Sequence, residues 1–222
     1  MAKAKIPPLK GLEELRVSGR VAPTETRSAT LIDKMTGKKF KDIMSAGVFI
    51  RGIKNNNSED IYANSNHGRD SKDDVVHPGA KVLGREADST LSLYEDANGL
   101  YARLKIKKDK FHLIENATFF QGWSFEFDIL DFERRVDDDN TEIHYIKDIK
   151  LWGVTLLDDR NIAGAYANGT TVHVRDTSGD DRRICCHGIS SNDIVIEDSL
   201  ISVDALKQDC FKKWWDFQKN NY

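Results

Sequence analysis

The 222-residue chain reads as a mainly β fold with flanking helices, an α+β class arranged as a barrel or sandwich. Three observations predict it. Apolar residues alternate in short runs, as at Leu15, Val17 and Val21 and again at Leu91 and Leu93, and period two is the mark of a strand with one buried face. Asn98-Gly99 joins two such runs, Thr90 to Tyr94 and Leu100 to Ile106, the strongest short-range hairpin signal. The 10 Phe, 6 Tyr and 4 Trp suffice for a sizeable core. With 39% hydrophobic and 31% charged residues, collagen-like and wholly disordered classes are excluded.

Taken in order, residues 1–10 form a basic, Pro-containing lead expected to be loose. A first strand spans Leu15 to Val21. Phe40, Ile43, Met44, Val48, Phe49 and Ile53 fall at helical spacing, with a break at Ala46-Gly47. Asp60 to His67 reads as a short strand, and 68–80, with Pro78-Gly79, as a surface loop. After the hairpin, a helix is expected from Lys108 to about Thr118. A strand follows at Gly122 to Leu130, then the acidic turn Asp137 to Asn140, a long strand pair within Ile143 to Leu157, and a strand at Thr170 to Arg175. Further on, Leu206, Cys210, Phe211, Trp214 and Trp215 share one helical face between Val203 and Phe217. That face is expected to dock on the body or on a second copy, making a homo-oligomer. The expected organisation is a lead (1–10), a main domain (11–176) and a C-terminal extension (177–222).

Charge removes several function classes. The net charge is −3, from 33 basic and 36 acidic residues, so nucleic acid is not an expected partner. No apolar run is long enough to span a membrane, and the lysines near the start lead into no apolar stretch of the secretory kind. Cys185, Cys186 and Cys210 are odd in number and clustered late, which is no disulfide framework and fits a reducing cytoplasm. Cys185-Cys186-His187 has no second ligand pair at a useful spacing, so neither a metal nor a cofactor is expected.

Gly122-Trp123-Ser124-Phe125-Glu126-Phe127 is the most informative stretch. On a strand, Trp123, Phe125 and Phe127 share one face, and Ser124 with Glu126 the other. A serine backed by aromatic residues is held rigidly, as a weak nucleophile that needs a base within reach must be. Imidazole is the best-suited base near neutral pH. Among the six histidines, His67 closes a strand-like segment and His77 lies in the following loop.

Several blocks carry a resemblance to the phage prohead proteases of the HK97 type, whose fold is similar to the herpesvirus assemblins. They are Gly47-Val48-Phe49; a histidine about 20 residues on, here His67; Leu83-Gly84-Arg85; Thr90-Leu91-Ser92-Leu93-Tyr94-Glu95-Asp96 with Gly99-Leu100; the Gly122 to Phe127 hexapeptide; and Leu151 to Leu157, with Ala165-Tyr166 and Val172 to Arg175. The match covers residues 12–176. The resemblance implies an assemblin-like β-barrel core and a serine endopeptidase with Ser124 as nucleophile and His67 as general base. It also implies a capsid or scaffold precursor as substrate and partner, cut inside an assembling prohead in a bacterial cytoplasm. His77 stays open as an alternative base, because its spacing to Gly84 also fits. In one place the chain departs from the pattern: Gly153 stands where the family carries a glutamate before Val-Ser. A third group normally orients the imidazole, and His144, Asp148 and Asp158 are the candidates close in sequence. The alternatives are a slower dyad, or an inactive capsid-assembly or scaffold protein on the same fold.

Overall fold

Two long antiparallel strands organise the molecule in the computed structural model, which describes residues 3–33, 35–56, 60–71, 74–137, 140–160, 166 and 169–176. The chain divides into two units, Met1–Gly179 and Asp180–Tyr222, and all described residues lie in the first. The late cysteines, His187 and the Trp214-Trp215 helix fall outside the described residues. No helix among the described residues is long and apolar enough to cross a membrane.

In chain order the strands are β1 (Ala4–Lys5), β2 (Glu14–Ala22), β3 (Leu31–Ile32), β4 (Lys39–Met44), β5 (Tyr62–Ser65), β6 (Val82–Arg85), β7 (Leu91–Asp96), β8 (Gly99–Lys107), β9 (Phe119–Val136), β10 (Glu142–Asp158) and β11 (His173–Asp176). One helix, α1 (Val48–Asn55), and two 3₁₀ turns, Asn66–Gly68 and Lys108–Leu113, complete them. A seven-stranded sheet runs β1-β9-β10-β4-β3, with β5 paired to β10 and β6 paired to β5, and a four-stranded sheet runs β11-β2-β8-β7. The mainly β, α+β class is as expected, but the sheets do not close into the expected barrel. Closure needs the outermost strands to pair, and no pairing among the described strands joins one sheet to the other.

The core lies between the sheets. Leu15, Val17, Leu104 and Ile106 come from the small sheet, and Phe120, Trp123, Leu151, Val154 and Leu156 from the large one; all are buried. Each fully buried large apolar side chain contributes about 1.5–3 kcal/mol.

β4 and α1 correct the single helix expected over Phe40–Ile53. Parallel pairing of Phe40–Met44 with Glu142–Ile146 of β10 overrides the helical spacing, a case of long-range context defeating local pattern. Gly47, at φ 75°, turns the chain into α1. There the Glu95 carboxylate accepts hydrogen bonds from the Gly47 and Ile50 amides, at 2.9 and 2.8 Å. The Glu95 of the Thr90–Asp96 block is thus a helix anchor, answering orphan N–H groups. Gly52 then lets α1 sit tightly on β10, since a Cβ there would lie 2.5 Å from Ile149 Cγ1.

The hairpin at Asn98-Gly99 forms as read, with Asp96 opposite Gly99. The expected helix after Lys108 is only a 3₁₀ turn ending at Leu113. Ile143 to Leu157 is one continuous strand rather than a pair, and its partner β9 runs from Phe119. Residues 4–6, expected to be loose, are tied down: Ala4 and Lys5 pair with Phe120 and Phe119, and Ile6 is buried with its amide bonded to the Thr118 carbonyl at 3.1 Å.

Candidate active site

Three neighbouring strands deliver the site in two ladder rows. In the first, Ser124 of β9 opposes Thr155 of β10, which opposes Asn64 of β5. In the second, Glu126 opposes Gly153, which opposes Tyr62. Directly paired residues project to the same face of a sheet, so Ser124, Glu126, Thr155, Asn64 and Tyr62 share one face. The aromatic side chains of β9 take the other: Trp123 is buried, and Phe125 packs edge-on against Phe49 of α1 with centroids 5.4 Å apart. A β-bulge sets the second row. Leu151 opposes Phe127 while Gly153 opposes Glu126, leaving Trp152 as the extra residue, the kind of irregularity that re-aims side chains beside functional sites.

His67 reaches this face from the turn that ends β5. Asn66, His67 and Gly68 all have left-handed backbone, with φ of 54°, 56° and 71°. For the two residues that carry a Cβ this is a costly conformation, on the order of 1–2 kcal/mol each. Three clamps hold it. The Asp158 amide donates to Asn66 Oδ1 at 3.0 Å, the Arg69 amide donates to the Asn66 carbonyl at 3.0 Å, and the His77 amide donates to the His67 carbonyl at 3.0 Å. Gly68 belongs to the same turn, because a Cβ there would stand 2.4 Å from the His77 carbonyl oxygen.

The imidazole meets a carboxylate. His67 Nδ1 lies 3.0 Å from Glu126 Oε1 and 3.1 Å from Thr155 Oγ1. Asn64 Nδ2 donates to the same carboxylate oxygen at 2.9 Å, and the Tyr62 hydroxyl donates to Oε2 at 2.5 Å. The Thr155 hydroxyl donates to Asn64 Oδ1 at 2.7 Å. Glu126 therefore faces three side-chain donors and, being ionised, can only accept. With Nδ1–H given to Glu126, Nε2 is the ring's remaining acceptor. Burial pushes the Glu126 carboxyl up, but the hydrogen bonds from His67, Tyr62 and Asn64 outweigh it and hold the group below its ordinary value. Burial and the adjacent Glu126 push the Tyr62 hydroxyl well up, so it stays a donor.

Of the histidines considered, the structure brings His67 to the carboxylate. The His77 side chain is exposed and contributes only its backbone to the turn. The three acids and bases weighed as imidazole partners are engaged elsewhere. His144 stacks on Phe40 at 4.5 Å and sits 2.9 Å from Glu142. Asp148 accepts from Asn55 Nδ2 at 2.7 Å. Asp158 is buried in an ion pair with Arg160 at 2.5 Å. Glu126 is the residue that reading of the sequence overlooks. Its signal was present, since it stands two positions from Ser124 on one strand face.

Gly153 explains how the acid can stand there. A Cβ at position 153 would lie 2.6 Å from Tyr62 Cε2 and 2.8 Å from the Tyr62 carbonyl oxygen. The Tyr62 ring occupies the space above Gly153 and so spans the row to Glu126. Glu126, the cross-strand partner of Gly153, is the carboxylate that the imidazole meets.

Ser124 thus shares a sheet face with Glu126, whose carboxylate meets the His67 imidazole. Residues 28–181 match the Caudovirus prohead serine protease family, and the chain belongs to that family. No curated protein and no solved structure matches the chain significantly.

Proposed function

We propose that this chain is an active serine endopeptidase that shortens the precursor polypeptides of a phage capsid during prohead assembly, with Ser124, His67 and Glu126 as its catalytic set. The contact between His67 Nδ1 and Glu126 Oε1, at 3.0 Å, carries the reading. It fixes the ring and its tautomer, leaves Nε2 to take the Ser124 proton, and stabilises the imidazolium that results. The serine oxygen then attacks the scissile carbonyl, and His67 returns the proton to the leaving amine. Water, activated by the same nitrogen, hydrolyses the acyl-enzyme and restores Ser124. Tyr62 and Asn64 act through Glu126 as positioning residues.

The competing reading is an inactive assembly or scaffold protein, and Gly153 was its main support. The Glu126 carboxylate beside Gly153, on the adjacent strand and in contact with His67, weighs against it. Co-expression with the capsid precursor separates the two. The native chain is expected to shorten the precursor and Ser124→Ala to leave it at full length. A precursor of full length in both cases rejects the peptidase reading in favour of the scaffold.

A further inference from the structure

Thr155 stands at the centre of the site and has no part in the chemistry above. Its strand, β10, runs between β9 and β5, so Thr155 is opposed by Ser124 on one side and by Asn64 on the other. The residue is fully buried. A β-branched side chain on a strand paired along both edges has little freedom about χ1, so the hydroxyl oxygen is fixed where it lies. Three polar atoms surround that oxygen: Asn64 Oδ1 at 2.7 Å, His67 Nδ1 at 3.1 Å and Glu126 Oε1 at 3.2 Å.

A hydroxyl has one hydrogen to give and two lone pairs to receive with. Which of the three neighbours takes the hydrogen therefore decides what the other two meet. The Asn64 amide makes the choice. Its Nδ2 donates to Glu126 Oε1 at 2.9 Å, and a carboxylate takes only donors, so the amide NH₂ must face Glu126. The amide oxygen is thereby turned on Thr155, and it too takes only donors. The Thr155 hydrogen goes to Asn64, along the shortest of the three contacts. What remains toward His67 is a lone pair. It can bond to Nδ1 only when Nδ1 carries a proton, which is the tautomer that leaves Nε2 free for the Ser124 proton.

We infer that Thr155 is a positioning residue for His67, a second acceptor for Nδ1–H beside Glu126, with its direction set by Asn64. The inference rests on the peptidase reading, since a fixed tautomer matters to a ring that must take a proton at Nε2. A hydroxyl placed there merely to satisfy Asn64 would leave the ring unaffected, and the two roles separate by experiment.

The nitrogen NMR shifts of the imidazole, read on the full-length resting chain, report the tautomer without any turnover. Native His67 is expected to carry its proton on Nδ1. A bare Nδ1 overturns the inference outright, because the Thr155 hydrogen would then be free to go to the ring. Thr155→Val replaces the hydroxyl with a methyl group. It is expected to shift the Nδ1 proton resonance and to slow fluorophosphonate labelling of Ser124 about tenfold, the worth of one hydrogen bond. Thr155→Ser, which keeps the hydroxyl, is expected to restore both. A resonance or a rate unchanged in Thr155→Val limits the hydroxyl to holding Asn64 and contradicts the inference. A loss that Thr155→Ser fails to recover assigns the effect to packing and rejects it as well. If Ser124 is never labelled even in the native chain, the peptidase reading falls, and the Nδ1 resonance alone decides whether Thr155 holds the ring.

Discussion

Glu126 bears the largest share of the account at the level of single residues. Glutamine in its place keeps the size but lowers acceptor capacity and adds an NH₂ donor facing His67 Nδ1, which favours the wrong tautomer. Reactivity of Ser124 in Glu126→Gln is expected to drop roughly 10²- to 10⁴-fold, with the fold retained by circular dichroism. The same group makes a prediction about pH. Its folded carboxyl is held below the ordinary 4.5, so it stabilises the fold above that value, and the contribution is lost as pH falls through the folded value. The stability gap between native and Glu126→Gln chains, measured by denaturant titration, should therefore shrink on acidification below about pH 4.5.

Asp42 works in the opposite sense. Burial raises it from 3.8 to about 6, against a smaller lowering by His144. Between these values the folded state holds a proton that the unfolded state has lost, so stability falls as pH rises through the window and levels off above it. Asp42→Asn should remove that slope. An identical slope in both chains would contradict the assignment.

Among the elements, the decisive one is β10, which touches β9 on one side and both β4 and β5 on the other. Its bulge and Gly153 hold Glu126 and Tyr62 in one row. Gly153→Ala is expected to displace the Tyr62 ring, costing about 1–3 kcal/mol of stability and slowing Ser124 more than the stability loss alone would. Tyr62→Phe removes one of the three donors to Glu126 without crowding anything. It should raise the Glu126 carboxyl toward its ordinary value and move the acid edge of the reactivity–pH profile upward. A profile identical to that of the native chain would limit Tyr62 to packing.

These elements also show what a sequence can disclose. Alternation at Glu14–Ala22 and the Asn98-Gly99 turn are local signals, and both elements form where the pattern puts them. The strand face shared by Ser124 and Glu126 was legible for the same reason, as was His67 at the end of a strand. The link between them was not, because it depends on register across β5, β10 and β9, and the His67–Glu126 contact that results joins residues 59 positions apart. A search along the chain from Gly153 finds Asp148 and Asp158; a search across the ladder finds Glu126. β4 was lost to a similar cause, since its parallel pairing with β10 leaves no mark in residues 39–44.

For the molecule as a whole, the two-sheet sandwich supplies a rigid back to the site. The aromatic face of β9 is packed into the core and against α1, so the opposite face can present Ser124 without movement of its strand. Preorganisation of this kind is what acyl transfer requires of its nucleophile and base. It also accounts for the spread of the family blocks along the chain. Leu83-Gly84-Arg85 and Thr90 interlock, with the Arg85 amide donating to Thr90 Oγ1 at 2.8 Å, and Glu95 anchors α1. Most of the recognisable residues brace the sheet, and few take part in the chemistry.

The most direct measurement of the central claim is the rate at which a fluorophosphonate modifies Ser124 in the native chain, in His67→Ala, in His77→Ala and in Glu126→Gln. The account predicts rapid labelling of the native and His77→Ala chains and a loss of two or more orders of magnitude in the other two. Equal rates in all four chains, or a loss confined to His77→Ala, would contradict it.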